Sequence, residues 1–270
     1  MFSRIRVAVL AALTAFTLIA SSAATAQSPV LNRVVKSGKM RVGMSGDQPP
    51  LNMKSKSGQM IGLEVDLAKG LGYALGVEVE LVQKPFGQLL PALKKGQVDM
   101  VMSGVDITAE RTKNSSFVGP YLLSGKSLVT ASRALAGAET VDDINSADVS
   151  FVTLKNSTSA TFVKKNIPKA KLVTVDDYET AVKMVIEGKA SAMIADLPAC
   201  ILAVLRNPDS GLVTLEEPLS VEPMGIAVSA KDKQFYNLID NYIDAIEATG
   251  ILSALRQKWF EDSAWLEELP

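Results

Sequence analysis

Short apolar strands alternate with amphipathic helices along most of this chain, and this alternation is the feature that most constrains its fold. A first strand is predicted at Met40–Met44, and leucines at helical spacing from Leu63 onward predict the helix that follows it. The alternation continues with a strand at 77–82, a helix at 86–95 and a strand at 98–103. This order predicts an α/β unit with a mainly parallel sheet, and such sheets bind ligands beyond the carboxyl ends of their strands. The loops after the first and third strands are therefore expected to form one wall of a binding site.

A second unit of the same kind begins near residue 149. Its predicted elements are a strand at 149–154, a helix at 161–165, a strand at 171–174, a helix at 178–187 and a strand at 191–195. The alternation of strand and helix again indicates a parallel sheet covered by helices.

Two apolar segments, at about 122–130 and 219–228, are predicted to cross between the two units. Residues 27–124 and 219–270 then form a first lobe, and residues 125–218 form a second lobe inserted into it. The expected architecture is an α/β protein of two lobes, each a mainly parallel sheet flanked by helices, joined by a two-strand hinge.

Residues 1–26 have the composition of a secretory signal peptide. They combine the basic start Met1–Arg6, the apolar run Val7–Ala20 and the small-residue cleavage site Ala24–Ala26. No cysteine stands at that site to carry a lipid, and no later stretch reaches the roughly 20 apolar residues of a membrane span. We therefore expect an exported chain that is free in the periplasm.

Composition excludes several functional classes. Loss of Arg4 and Arg6 with the signal peptide leaves 26 of the 28 basic residues against 29 acidic ones, a net charge near −3. This charge argues against nucleic acid or an anionic membrane as a partner. The absence of histidine excludes Ser-His-Asp and Cys-His mechanisms and removes the commonest zinc ligand. The single cysteine, Cys200, cannot form an internal disulfide and is expected to be buried.

Arg111 is unusual for its predicted position. Thr108 is a plausible helix N-cap, which places Arg111 in the first helical turn, where free N–H groups disfavour a cation. An external anion such as a carboxylate, held between the guanidinium and those N–H groups, would explain the arginine. A solvent-exposed ion pair with Glu110 or Asp106 is the alternative.

Asp196 also allows two interpretations. It follows a predicted strand and precedes Leu197-Pro198, so it is a good N-cap for a helix at 198–206. The other interpretation, a ligand contact, is implied by the resemblance of the surrounding motif to a known family.

The motifs of this chain resemble those of the amino-acid-binding periplasmic receptors that serve ABC transporters, the type II periplasmic binding proteins of solute-binding family 3. The matching segments, in chain order, are GQMIGLEVDLAKGLG at 58–72, GVDITAER at 104–111, FVGPY at 117–121, GKASAMIADLPA at 188–199 and LRQKWFED at 255–262. The resemblance implies that Arg111 binds the α-carboxylate of an amino acid and that Asp196 binds its α-ammonium group.

The resemblance also implies a wider ligand site. On the first lobe it comprises Ser103, the Gly104 carbonyl, Phe86, Gln48 and Asp106, and on the second lobe the backbone around Thr158 and Ser159. Phe86 would support the ligand side chain or, alternatively, act as a hydrophobic staple of its own helix. Asp106, together with Asp47, favours a polar or cationic ligand side chain, although either aspartate can be a loop cap.

The expected function is therefore capture of an amino acid by hinge closure and its delivery to an ABC permease. The expected protein is a monomer that needs no cofactor and no metal. Two alternatives stay open. Periplasmic cyclohexadienyl or arogenate dehydratases share the resemblance, with Asp106, Asp196 or Glu222 as possible acid–base groups, and so do ligand-sensing modules.

Overall fold

Two five-stranded sheets organise the chain in the computed structural model, which describes residues 28–262 and 264–270. The predicted signal peptide lies outside the described residues. The helices and strands follow in the order α1 (Pro29–Ser37), β1 (Lys39–Met44), β2 (Asp47–Gln48), β3 (Asn52–Lys54), β4 (Met60–Ile61), α2 (Leu63–Leu75), β5 (Glu78–Gln83), α3 (Phe86–Lys94), β6 (Met100–Val101), β7 (Ser115–Ser124), β8 (Lys126–Thr130), α4 (Arg133–Ala136), β9 (Ser150–Leu154), α5 (Thr158–Asn166), β10 (Lys171–Val175), α6 (Tyr178–Ile186), β11 (Ala192–Asp196), α7 (Leu197–Arg206), β12 (Val213–Thr214), β13 (Glu222–Ser229), α8 (Lys233–Ala248) and α9 (Ile251–Arg256).

The first lobe contains the sheet with strand order β5-β1-β6-β13-β7. Strands β5, β1 and β6 are parallel, whereas β13 pairs antiparallel with both β6 and β7. Strand β13 comes from the returning end of the chain, so this sheet combines both chain ends. The parallel strands place the loops after β1 and β6 at one edge, as predicted.

The second lobe contains the sheet with strand order β10-β9-β11-β8-β12. Strands β10, β9 and β11 are parallel, and β8 and β12 are antiparallel additions at one side. The parallel core carries helices α5 and α6 as crossover connections, the expected consequence of joining parallel strands. The two-lobed α/β prediction is confirmed, and the exact lobe boundaries stay a prediction.

The C-terminal helix α8 shows how sequence and packing agree. Its N-cap, Asp232, accepts a hydrogen bond from the backbone N–H of Phe235 at 2.9 Å. Phe235, Ile239, Ile243 and Ile246 recur every three or four residues and are buried in the first lobe. The same core contains Trp259, which confirms that this side chain packs inside the protein.

Three local predictions need correction. The helix expected to start at Thr108 is a single 3-10 turn at Arg111–Lys113, because strand β7 begins two residues later. The helix predicted at 161–165 already begins at Thr158, because the Ser157 side chain caps it by accepting from the Ala160 N–H at 3.0 Å. The sequence predicts one helix over 250–261, but α9 ends at Arg256 and a π-helical turn continues over Gln257–Glu261.

The two lobes meet where β7 passes into β8 and where the chain returns into β13. A Cβ atom at Gly125 would lie 1.8 Å from the carbonyl oxygen of Ser220, so the crossing segments touch at a position that only glycine fits. The backbone N–H of Lys126 donates to Ser220 Oγ at 3.1 Å. Across residues 28–262 and 264–270, the helices are all too short or too polar to serve as a membrane span.

Candidate functional site

Arg111 lies at the junction of the two lobes. Its Nη1 donates to the carbonyl oxygen of Asp106 in the first lobe at 2.9 Å, and its Nη2 donates to the carbonyl oxygen of Asn156 in the second lobe at 3.3 Å. Its guanidinium carbon is 5.9 Å from the centre of the Phe86 ring, within cation–π range. The Thr108 hydroxyl accepts the Arg111 backbone N–H at 3.2 Å, so the predicted capping contact exists although the helix does not.

A buried lysine, Lys126, connects acids of the two lobes. Its Nζ lies 2.9 Å from Asp106 Oδ2, 2.6 Å from Asp196 Oδ1 and 3.0 Å from Glu222 Oε2. The Lys126 side chain has no exposed surface. An ammonium group has three N–H donors, and here each donor has a carboxylate partner.

The pKa values of this cluster reflect burial and mutual attraction. Burial lowers the pKa of Lys126, but attraction to Asp196, Asp106 and Glu222 outweighs it, so the net shift is upward. Burial raises the pKa of Asp196 to about 7, against the opposing pull of Lys126. The pKa of Asp106 is lowered, because the attraction of Lys126 and a hydrogen bond from Thr158 exceed the effect of burial. The acids of the cluster therefore differ in how tightly they bind a proton, and Asp196 binds a proton more tightly than Asp106 does.

Asp196 precedes α7, but its side chain makes no capping hydrogen bond to that helix. It forms the ion pair with Lys126 instead. The alternative that Asp196 serves only as an N-cap is therefore wrong for the side chain, whose carboxylate is directed at the cleft cluster.

The first-lobe wall is a hydrogen-bonded network after β1 and β6. Ser103 is fully buried; its hydroxyl accepts the Ser45 N–H at 3.0 Å and donates to Gln48 Oε1 at 2.9 Å. The Gly104 N–H donates to Glu64 Oε1 at 2.7 Å. Gly104 has a φ of +55°, a conformation that suits glycine.

Glu64 anchors this wall from helix α2. Its carboxylate also accepts hydrogen bonds from the Asn52 side-chain amide at 2.6 Å and from the Tyr121 hydroxyl. Burial raises the pKa of Glu64, and these three donors oppose the shift. The acid thus fixes the Gly104 loop without an arginine or lysine.

Polar contacts join the two lobes across the cleft. The Thr158 hydroxyl, at the start of α5, donates to Asp106 Oδ2. The Asn156 side-chain amide donates to the Gly87 carbonyl at 3.3 Å, and the Tyr178 N–H donates to Asp47 Oδ2 at 3.3 Å.

The structure brings most of the predicted site residues together in two groups. Arg111, Phe86, Asp106 and Thr158 are connected by direct contacts, and Asp196 joins them through Lys126. Ser103, Gly104 and Gln48 form the neighbouring wall. Ser159 is buried in α5, and within the described ranges no hydrogen bond connects its side chain to the other predicted residues.

Two spaces border these groups. A groove of about 1250 Å³ lies between the lobes, with Arg111, Thr158 and Glu222 in its lining. A cavity of about 10 Å³, close to the size of one water probe, is lined by Gln48, Gly104 and Asp196 among others.

Sequence reasoning missed Lys126 and Glu64. The signal for Lys126 was present, because it is the one charged residue in the strand-forming run YLLSGKSLVTAS at 121–132. A lysine in a buried strand requires acidic partners. Its partners lie 20 residues before it and 70 and 96 residues after it, so only the folded chain identifies them.

Asp106, Asp196 and Glu222 place one oxygen each within 4.8 Å of one another, a spacing that suits a metal ion. Lys126 already forms an ion pair with all three, so its ammonium occupies the position that such an ion would take. The arrangement can therefore neutralise carboxylates, bind an external carboxylate at Arg111 and hold a proton on Asp196.

Comparison with known proteins identifies the family. The profile of the bacterial extracellular solute-binding proteins, family 3, matches residues 40–262. The chain belongs to this family. Its relatives include the cyclohexadienyl dehydratase of Pseudomonas aeruginosa, 27% identical over 250 residues that cover 93% of each chain. The L-cystine-binding protein of Escherichia coli is 28% identical over 235 residues that cover 87% of each chain.

A solved family structure supports the same assignment. A binding component of an ABC transporter from Wolinella succinogenes, complexed with lysine, is 34% identical and has a TM-score of 0.79. The match covers 85% of this chain and 99% of that one. The family and the two-lobed fold predicted from the sequence are thus confirmed, within a family that contains both binding proteins and a dehydratase.

Proposed function

We propose that this protein is a periplasmic receptor that captures an amino acid with a polar or cationic side chain between its lobes. It then delivers the amino acid, as an unanchored monomer, to the membrane permease of an ABC transporter. The proposal rests on the position of Arg111, whose guanidinium contacts backbone carbonyls of both lobes at the border of a large groove.

The hydrogen-bond partners of Arg111 are groups that a ligand carboxylate is able to replace. Backbone carbonyls are neutral acceptors, whereas a carboxylate accepts two parallel hydrogen bonds from a guanidinium with full opposite charge. A ligand carboxylate therefore competes well for Arg111. The nearby Phe86 ring supports the guanidinium from its face.

The opposite end of the ligand is assigned to Asp196. Lys126 engages only Oδ1 of this carboxylate, and the residue lines the small cavity. An α-ammonium group bound there and an α-carboxylate bound at Arg111 connect the second lobe to the first. A zwitterion that contacts both lobes stabilises their closed arrangement and shifts the hinge equilibrium toward it.

A thermal-shift screen of residues 27–270 against the common amino acids tests this function. A ligand at about 100 times its dissociation constant adds about 2.7 kcal/mol of stability, which should raise Tm by roughly 5–10 °C for a chain of this size. Arg111→Ala should abolish the shift while circular dichroism shows an unchanged fold. An undiminished shift in Arg111→Ala would remove the assignment.

Asp196→Asn provides a matched second variant. It should weaken binding of the amino acid much more than binding of the same molecule without its α-amine, because only the former loses a charge partner. Equal weakening of both ligands would mean that Asp196 acts structurally. The comparison is made by calorimetric titration.

A dehydratase is the second candidate function, and one feature of the cleft favours it. Asp196 has a pKa of about 7 and lies 2.6 Å from Lys126, so it is able to act as a general acid toward a leaving hydroxyl near neutral pH. Turnover of prephenate or arogenate by the purified chain, lost in Asp196→Asn, would establish this activity. No turnover, together with a positive amino-acid screen, leaves the receptor function alone.

A further inference from the structure

Lys126 places inside the protein the same side-chain ammonium that a lysine ligand would bring. Four methylene groups and an ammonium extend from the start of β8 into the cleft, and the ammonium contacts Asp106, Asp196 and Glu222. These acids come from the first lobe, from the end of β11 and from the start of β13. A cation supplied by the chain thus already lies where a cationic ligand group would be neutralised.

Amino acids with uncharged and with cationic side chains require different numbers of carboxylates in the cleft. An amino acid with an uncharged side chain brings one ammonium, which the proposed function assigns to Asp196. Arginine, lysine and ornithine bring a second cation, which requires a second carboxylate in the cleft. The other two acids of the Lys126 cluster, Asp106 and Glu222, are both paired with Lys126.

Lys126 balances the charge of only one of the three carboxylates, and a proton within the cluster reduces the negative charge that is left. Asp106 Oδ1 is buried and, within the described part of the chain, has no hydrogen-bond donor. Burial raises the pKa of Glu222, and the neighbouring Asp106 raises it further against the opposing attraction of Lys126. A proton held on Glu222 can be donated to Asp106, which satisfies both carboxyl groups without a second ligand cation.

The space beside Asp196 is lined by uncharged groups. Apart from Asp196, its lining consists of Gln48, Leu51, Gly104, Tyr178 and three small or proline residues. On this side of Asp196 the Gln48 side chain offers an uncharged hydrogen-bond partner, and the lining adds no further carboxylate.

Asp47 is the other buried acid near the cleft. Its Oδ2 accepts the Tyr178 N–H at the N-terminus of α6, where the helix dipole is positive. Burial raises the pKa of Asp47. The Oδ2 atom of Asp47 therefore serves the contact between lobes, whereas its Oδ1 is buried and has no hydrogen-bond partner in the described part of the chain. Asp47 lies outside the Lys126 cluster.

We infer that Lys126 is a specificity-determining residue that replaces a ligand's side-chain cation, so that the cleft accepts amino acids with uncharged polar side chains and rejects cationic ones. The inference rests on the proposed amino-acid receptor function and narrows it. Removal of the Lys126 ammonium should open the cleft acids to cationic ligands.

Calorimetric titration with two matched ligand pairs tests the inference. L-Citrulline and L-arginine have nearly the same shape but differ by one charge. L-Glutamine and L-ornithine are approximately equal in length and also differ by one charge. The wild-type chain should bind the neutral member of at least one pair at least tenfold more tightly than the cationic member. Lys126→Met should shift that ratio at least tenfold toward the cationic member.

Two further variants keep the test decisive. Lys126→Met combined with Glu222→Gln removes one acid along with the lysine, which limits buried charge should the single variant fail to fold, and it should show the same shift. Lys189→Met is the control, because Lys189 is exposed in the turn before β11, at the end of that strand opposite Asp196. It should retain the wild-type ratio.

Each result has one meaning. Tighter wild-type binding of arginine or ornithine than of the neutral partner overturns the inference and leaves the receptor function intact. An unchanged ratio in the folded variants overturns it as well. A screen in which none of the common amino acids binds instead contradicts the receptor function itself.

Discussion

Two clusters of buried charge in this protein have opposite compositions. Asp99 is a single buried acid that contacts two arginines: Arg33, and Arg41 at 2.8 Å. Lys126 is a single buried cation that contacts three acids. The arginine side chains are 34% and 25% exposed, whereas the acids around Lys126 are only 2%, 12% and 19% exposed.

The difference lies in where the surplus charge is located. The surplus positive charge around Asp99 is partly solvated, so water screens it at little cost. The surplus negative charge around Lys126 is confined between two lobes, where burial, together with the neighbouring carboxylates, raises the pKa values of Asp196 and Glu222. A confined surplus must be met by a proton or a bound group, and for this reason the second cluster indicates function whereas the first indicates structure.

The largest expected effect that separates the clusters comes from Lys126→Met. Loss of the cation leaves three acids without a counter-ion, so the free energy of unfolding at pH 8 should fall by about 3–5 kcal/mol. Much of this loss should be recovered at pH 5, because the unpaired acids then take up protons. Urea unfolding at both pH values measures the change, and an equal loss at each pH would contradict the charge explanation.

Asp99→Asn should have a smaller effect. Asp99 accepts the Arg41 backbone N–H at 2.7 Å as well as the two guanidinium groups. Removal of its charge should reduce the free energy of unfolding by about 1–3 kcal/mol, the usual value of hydrogen bonds to a charged group. The amino-acid panel should be unchanged, and altered ligand binding in this variant would remove the distinction between the two clusters.

Counted per pH unit, the smallest effect is the pH dependence that Asp196 contributes to stability. The pKa of Asp196 is about 7 in the folded protein, above its ordinary value of 3.8, so the folded state binds this proton more tightly than the unfolded state does. The contribution of Asp196 to the free energy of unfolding therefore falls as the pH rises from about 4 to 7. The unfolding free energy of the wild type minus that of Asp196→Asn should decline over this range by at most about 1.4 kcal/mol per pH unit. Parallel curves would show that Asp196 does not titrate there.

The fold followed from the sequence wherever the evidence was local. The sequence predicts a helix over 233–248, which are the observed bounds of α8, and a small hairpin of residues 51–53 and 59–62, where β3 and β4 pair. Helix α1 was not predicted, although local signals for it exist: Pro29 begins it, Gly38 follows its end, and its apolar residues recur at helical spacing. What the sequence does not display is its anchor, because Asp232 accepts the Val30 and Leu31 N–H groups from about 200 positions along the chain.

The candidate site shows the same limit. Arg111 and Asp196 were predicted from motifs, and both lie at the cleft, although their roles toward a ligand stay predictions. Their neighbours were not predicted, since the Arg111 guanidinium donates to the backbone carbonyls of Asp106 and Asn156 and the Asp196 carboxylate pairs with a lysine. Contacts between residues far apart in the chain, such as those of Arg111 with Asn156 and of Asp196 with Lys126, are not displayed by the sequence.

The contact between Gly125 and Ser220 has a mechanical consequence. Because Gly125 has no side chain to separate them, the two crossing segments lie in close contact and form the narrow axis of the proposed hinge. In a rotation, displacement grows with distance from the axis. Lys126 is one residue from Gly125, and Glu222 is two residues from Ser220. In the proposed hinge motion, the rim of the cleft therefore travels furthest, while Lys126 and Glu222 remain almost stationary. That motion would change what faces the Lys126 ammonium and leave the ammonium itself in place.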